Sequence, residues 1–460
     1  MSQPSFITDQ GQASHPPEHR QPQKAQPNSG TTEVNQDFGH LIQGAAKTIA
    51  RPKHTAEIVR LLQMANRAGL TITPRGKGYS QSGQSVSVNG ITLETIHLKQ
   101  LKFIDNRDHL ICGAGVSWRT VMTMAMQAGR LPCAMPLNLN LTIGGTLSAG
   151  GVGSNSHRYG SSTASVTALE VVTGAAQAIT CDPTQHPDLF QAVLSGQGRC
   201  GLITSATLKL RPFKPQVILY QLLYTDLGNW LADQQRLKTN PAISHIEGFC
   251  LGAEADQWRY KLHIAIEQDS TAIDHTILEP LSYDEVVQID CHGIAEFLAR
   301  YDCRFQAMQQ AGDWQLAHPW FECFIPSSQA KQLIPKMLKI LPACFGEGHR
   351  VIPIDTTTKT KFFMTPELPE QSILFAALPT GIKPADISAT RQAIRELNEL
   401  IMAAGGKRYL SGWLETTSEG FWQQHFGALY TDWLQVKQTY DPNQVFGSSL
   451  FRGDPAILMC

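Results

Sequence analysis

The run Thr142-Ile143-Gly144-Gly145-Thr146-Leu147-Ser148-Ala149-Gly150-Gly151 constrains this chain more than any other segment. Glycine has no Cβ, so a backbone this rich in it can approach a ligand closely. A second segment of the same kind, Arg75-Gly76-Lys77-Gly78-Tyr79-Ser80, lies upstream after a short apolar stretch. Two such loops on one scaffold point to a large polyanion held by main-chain N–H groups. The competing interpretation is a pair of tight turns.

The rest of the composition narrows the class. The chain has 460 residues, enough for two or three domains with a substantial core. A net charge of -1 gives no electrostatic reason to expect nucleic acid or an anionic membrane as partner. No apolar run approaches the roughly 20 residues of a membrane span, and the N-terminus shows no secretory apolar region. None of the ten cysteines forms a C-x-x-C pair. Reduced, mostly buried thiols and a cytoplasmic location are the expectation. The fifteen histidines show no zinc-binding spacing, so no metal is expected.

Residues 1–36 are rich in Gln, Pro, Ser and His and predict a disordered tail. A helix is expected from Thr55, its cap, to a stop at Gly69, with Ile58, Val59, Leu61, Leu62 and Ala65 on its apolar face. Strands are expected over Leu70–Thr73, Ile91–His97, Leu101–Ile104, Leu110–Ala114, Val166–Thr173 and Leu202–Leu210. Ser117 caps a helix that ends at Gly129, and Pro187–Leu194 reads as a short helix. Two longer helices are expected over Ile387–Ala404 and Trp422–Thr439.

Gly196-Gln197-Gly198-Arg199-Cys200-Gly201 fits G-x-G-x-x-G, but a helix precedes it and a strand follows. A dinucleotide fingerprint needs the reverse order, so this segment reads as a helix-to-strand turn. Gly76–Ser80 lacks the Gly-Lys-Ser/Thr ending of a nucleoside-triphosphate loop.

Taken in order, these segments resemble the vanillyl-alcohol oxidase superfamily, the flavoenzymes with an FAD-binding domain of the PCMH type. Arg75–Ser80 with Gln84 is similar to that family's pyrophosphate loop. Leu141–Ser148 with Arg158-Tyr159-Gly160 is similar to its second loop. His318-Pro319-Trp320, Phe324-Ile325-Pro326, Tyr409-Leu410 and Tyr440-Asp441-Pro442 resemble the cytokinin dehydrogenases within the superfamily. Sugar-lactone oxidases of the superfamily carry H-W-x-K near the end, where this chain has His425-Phe426-Gly427-Ala428.

The resemblance implies a two-lobed α+β fold. An FAD-binding PCMH-type domain would cover 37–212, a second α+β substrate domain 213–412, and residues 413–460 would return to the FAD domain. It implies FAD as cofactor, touched by Gly76, Lys77, Gly78, Tyr79, Ser80, Gln84, Thr142, Gly145, Ser148, Val152, Ile203 and Tyr409. Relatives attach the flavin through a histidine where this chain has Tyr79, or through a cysteine in the second loop. No cysteine falls between Pro136 and His157, so noncovalent FAD is expected. Cytokinin dehydrogenases place a proton-accepting aspartate where this chain has Leu137, and the neighbouring Asn138 cannot act as a base. Glu247 is the candidate replacement, and Trp320 is expected to wall the substrate cavity. The expected activity is FAD-dependent removal of hydride from a C–H bond beside nitrogen or oxygen of a small molecule, with oxygen or a quinone as acceptor. The alternatives are a tailoring oxidase of small-molecule biosynthesis and a flavin-binding protein without turnover.

Overall fold

Three sheets organise the protein. In the computed structural model the described residues are 34–254, 257–366, 372–415 and 419–451. The expected N-terminal tail falls outside them as far as residue 33; Val34 and Phe38 are buried.

A small parallel sheet has the order Thr48–Ala50, Ile91–Glu94, Ile72–Arg75. A second sheet runs Leu101–Ile104, His109–Gly113, Leu202–Pro212, Val166–Val172, Ala178–Cys181, with Arg130–Pro132 also pairing Leu202–Pro212. The third is an antiparallel sheet of eight strands. Its order is Glu285–Gly293, Gln216–Tyr224, Gln257–Gln268, His245–Glu254, His349–Ile354, Ser372–Ala377, Phe321–Pro326, Lys407–Arg408.

The helix Thr55–Ala68 buries Ile58, Leu62 and Ala65, four- and three-residue steps that keep them on one face. Gly69 ends it in the left-handed conformation, φ 61°, a position where a Cβ would be strained. Thr55 is not its cap: the helix starts at Thr55, whose hydroxyl donates to Glu170, while Glu57 accepts the N–H of Lys53. The strand expected at Leu70–Thr73 lies at Ile72–Arg75, and the one expected to reach His97 stops at Glu94 before a 3-10 turn. The helix expected over Trp422–Thr439 is two, Glu419–Phe426 and Tyr430–Tyr440, parted at Gly427 with φ 54°.

These last two helices place Trp422, Phe426 and Trp433 in the core that also holds Leu110, Val171 and Leu208 of the second sheet. The chain then runs beside the small sheet, where the Ile72 N–H donates to Val445 O at 2.7 Å. Asp441 fixes this return. It is fully buried, pairs with Lys437, and accepts the N–H groups of Val445 and Phe446.

The eight-stranded sheet uses strand alternation to separate two environments. Phe321, Cys323, Ile325, Val351, Ile373 and Phe375 point into a core shared with Trp230, Ile334 and Leu397. The intervening residues Glu322, Ile352, Leu374 and Ala376 turn to the opposite face, toward the glycine-rich segments, and line a cavity there.

Candidate active site

One cavity, with an empty volume of about 1760 Å³ that is partly open to solvent, lies between the glycine-rich segments and the eight-stranded sheet. Its first wall is mostly backbone. Gly78 adopts φ 72°. Among the described residues, the N–H groups of Lys77, Gly78, Tyr79, Ser80 and Gln81 donate no hydrogen bond within the protein. Five successive free donors around a left-handed glycine make a nest suited to an anion. A carboxylate stands behind the loop: buried Asp37 accepts from the Ser80 hydroxyl at 3.0 Å and from the Gly83 N–H at 2.7 Å. Burial pushes Asp37 up to about 7 against these hydrogen bonds. The sequence reading missed it because residue 37 sits where the polar tail gives way to ordered chain.

The second glycine-rich segment is not a loop. Ile143–Ala149 is a helix, N-capped by Thr142, whose hydroxyl accepts the Gly145 N–H at 3.4 Å. The N–H groups of Ile143 and Gly144 are also taken, by Val116 O and Ala114 O. Its glycines therefore serve close approach. A Cβ on Gly144 would stand 2.8 Å from that of Ala114, and one on Gly76 would stand 2.3 Å from Thr142 Oγ1. The two glycine segments meet at Thr142.

All twelve residues expected to touch the cofactor line this cavity: Gly76, Lys77, Gly78, Tyr79, Ser80, Gln84, Thr142, Gly145, Ser148, Val152, Ile203 and Tyr409. Several also hold the walls together. Gln84 donates to Leu410 O at 2.8 Å, and the Tyr409 hydroxyl accepts the Gly151 N–H at 2.8 Å. Val152 packs with Phe324, Leu374 and the Tyr409 ring. Lys77 is exposed. Among the described residues, no histidine or cysteine lines the cavity. Leu137 and Asn138 line it, so the position where the resemblance implies an aspartate in cytokinin dehydrogenases is here an apolar residue of the cavity wall.

The second wall is made of side chains. Trp320 lines it, anchored by its indole N–H to Pro379 O at 2.9 Å and set edge-on to Phe38. Phe305 and Tyr79 join the same aromatic group near the cavity. Glu322 projects from the strand Phe321–Pro326 and accepts the Ser411 hydroxyl at 2.6 Å. Burial raises this carboxyl to about 7, against the pull of Ser411, Arg408 and Arg350. The signal for it was present in the sequence: one charged residue alternating with Phe321 and Cys323 in a strand that is otherwise apolar.

Glu247 is a correction. It is not among the cavity-lining residues. It is 2% exposed, ion-paired with Arg300, and accepts the Tyr301 hydroxyl at 2.7 Å. Burial opposes its charge, but Arg300, Arg350 and Tyr301 outweigh burial and hold the carboxyl below its ordinary value. A carboxylate so committed orients Arg300 and Tyr301; it is a poor proton acceptor.

A cavity with an unfilled amide nest at one end and close-packed glycines along its side fits the diphosphate and ring system of FAD. Comparison with known proteins carries this further. Residues 46–182 match the family described as FAD binding domain, and residues 265–451 match the family described as cytokinin dehydrogenase 1, FAD and cytokinin binding. The chain is a cytokinin-dehydrogenase-like, FAD-dependent oxidoreductase. An uncharacterized oxidoreductase of the fasciation locus of Rhodococcoides fascians is 28% identical over 90% of this chain and 95% of its own. Cytokinin dehydrogenase 9 of Oryza sativa is 28% identical over 92% of this chain and 89% of its own. The crystal structure of 6-hydroxy-D-nicotine oxidase from Arthrobacter nicotinovorans superposes with a TM-score of 0.70 at 18% identity. It covers 91% of this chain and 95% of that one, and shares the fold. Among the described residues, no helix is long and apolar enough to cross a membrane.

Proposed function

We propose that the protein oxidises an amine at the carbon beside nitrogen, with Glu322 taking the N–H proton and FAD held without a covalent link. The observation that carries this reading is the buried Glu322 carboxyl, raised to about 7 on the wall facing the glycine segments. A base works best with a pKa near the working pH. The resemblance puts the relatives' base at Leu137, which has no proton-accepting group, so Glu322 takes over that role from a different element.

FAD, when bound, supplies the two-electron sink for the hydride lost from carbon. Glu322 accepts the proton from nitrogen, the C–N single bond becomes C=N, and water then hydrolyses the imine. Ser411 orients the carboxylate throughout. Trp320 and Phe305 shield the reacting carbon from water. The nest at Lys77–Gln81 would hold the diphosphate, and the helix Ile143–Ala149 and Ile203 would pack along the cofactor. The absence of histidine and cysteine from the lining supports a noncovalent cofactor. Oxygen or a quinone takes the electrons.

In this reading the cofactor lobe is 37–212 with 413–460, and the substrate lobe is 213–412. The nine free cysteines of the described residues, six of them buried, support a reducing, cytoplasmic setting. Anaerobic mixing with a panel of amines, alcohols and N6-alkyl adenines tests the reading. Bleaching of the flavin's visible absorption by an amine is expected. If dithionite reduces the flavin but no compound of the panel does, the protein is a flavin binder without turnover.

A further inference from the structure

Glu322, Ala376 and Arg350 are direct partners across three adjacent antiparallel strands. Directly paired residues share a face. With strands about 4.8 Å apart, the backbones of Glu322 and Arg350 stand about 10 Å from one another. The methyl group of Ala376 between them leaves a slot open to the cavity, and all three residues line it.

Arg350 is 9% exposed, and its guanidinium lies 4.0 Å over the Tyr301 ring. Among the described residues it has no carboxylate partner within ion-pair distance and makes no side-chain hydrogen bond. A buried guanidinium normally has acceptors for its five N–H groups. Arg304 lines the same cavity, and its one side-chain hydrogen bond goes to the main-chain oxygen of Leu378. Burial first, and the charge of Arg350 second, lower Arg304 to about 10, so the two cations repel one another. The nearby carboxylates compensate only in part. Glu247 is committed to Arg300 and Tyr301, and Glu322 is bound to Ser411 and carries a proton for part of the time near neutral pH. The main-chain nest for the diphosphate lies on the other wall. The cationic excess therefore faces the substrate.

We propose that the amine substrate also carries a carboxylate, bound by Arg350 with Arg304 adding charge, while its nitrogen sits at Glu322. This rests on the amine-oxidation reading above and names its substrate class: an amino acid or N-substituted amino acid. The Arg350 guanidinium, oriented by stacking on Tyr301, presents two parallel N–H donors to the two carboxylate oxygens. An uncharged amine of the same shape leaves that guanidinium unpaired, so the wall selects against it.

Calorimetric titration of the purified protein with benzoate, and separately with benzamide, tests the proposal without requiring turnover. Benzoate should bind, and benzamide at least tenfold more weakly. Arg350→Gln should weaken benzoate about tenfold to hundredfold, the span of a lost charge-assisted pair, and Arg350→Lys should recover part of it. Equal binding of benzamide and benzoate, or an unchanged benzoate affinity in Arg350→Gln, overturns the proposal. So does a variant that shifts only the flavin's reduction potential, which would assign the cations to the reduced cofactor. The amine-oxidation reading fails separately: bound flavin that uncharged amines bleach while acid-bearing amines do not refutes the carboxylate alone. Flavin that no amine bleaches refutes the reading beneath it.

Discussion

The two walls of the cavity are built by opposite means. The wall from Gly76 to Ile203 presents backbone N–H groups, glycines and short side chains, with Lys77 exposed beside them. The wall from Tyr301 to Ser411 presents Arg304, Glu322, Arg350 and aromatic rings from strands and a helix of the other sheet. The first can hold a ligand that is always the same. The second can be altered one side chain at a time, and it carries Glu322, the proton acceptor of the proposed reaction. A backbone wall fails through steric change and a side-chain wall through chemical change, which gives a series of tests.

The largest effect is expected at Glu322. Glu322→Gln should slow anaerobic flavin reduction by about 10²- to 10⁴-fold, the usual worth of a general base, while leaving flavin content unchanged. In the wild type the rate should rise with pH and level off above about 7, where the carboxyl is ionised. The same group gives a stability test. Its folded pKa of about 7 exceeds the ordinary 4.5, so the folded state binds the proton more tightly than the unfolded chain. Raising pH through that window therefore destabilises the wild type. The amide introduced by Glu322→Gln cannot ionise, so the variant's melting temperature should gain on wild type from pH 4.5 to 7 and then stay level.

Glu247→Gln should behave in the opposite manner. Breaking its buried pair with Arg300 should cost about 3–5 kcal/mol of stability, read by denaturant unfolding, because it strands the guanidinium. Flavin reduction in the protein that remains folded should fall by less than about tenfold, short of a lost general base. On the backbone wall, Gly76→Ala forces a Cβ to within 2.3 Å of Thr142 Oγ1. The overpacking should weaken FAD by about 1–3 kcal/mol in a fluorescence titration. Lys77→Ala should do least, under about 1 kcal/mol, because an exposed charge is screened.

The same contrast decides what could be read from the sequence. Gly76–Ser80 and Thr142–Ser148 are contiguous, and their glycine spacing reports a local backbone need, so the wall they form was legible as part of a cavity. Its one misreading, a helix taken for a loop at Ile143–Ala149, arose because glycine disfavours helix in isolation. Here Thr142 caps the turn and close packing on Ala114 requires the small residues. Glu322, Ala376 and Arg350 meet only through long-range pairing of three strands. Nothing local in their segments states that pairing. Glu247 gives no local sign of its commitment, because its partner Arg300 lies on a distant turn. Asp37 acts from behind the loop across a similar distance.

The central proposal is a flavin held by the main chain and by packing, with no covalent tether. Acid precipitation of purified protein loaded with FAD measures this directly. Intact FAD in the supernatant, close to one per chain, with a colourless pellet is the predicted result. A yellow pellet, or protein that takes up no flavin, would contradict it.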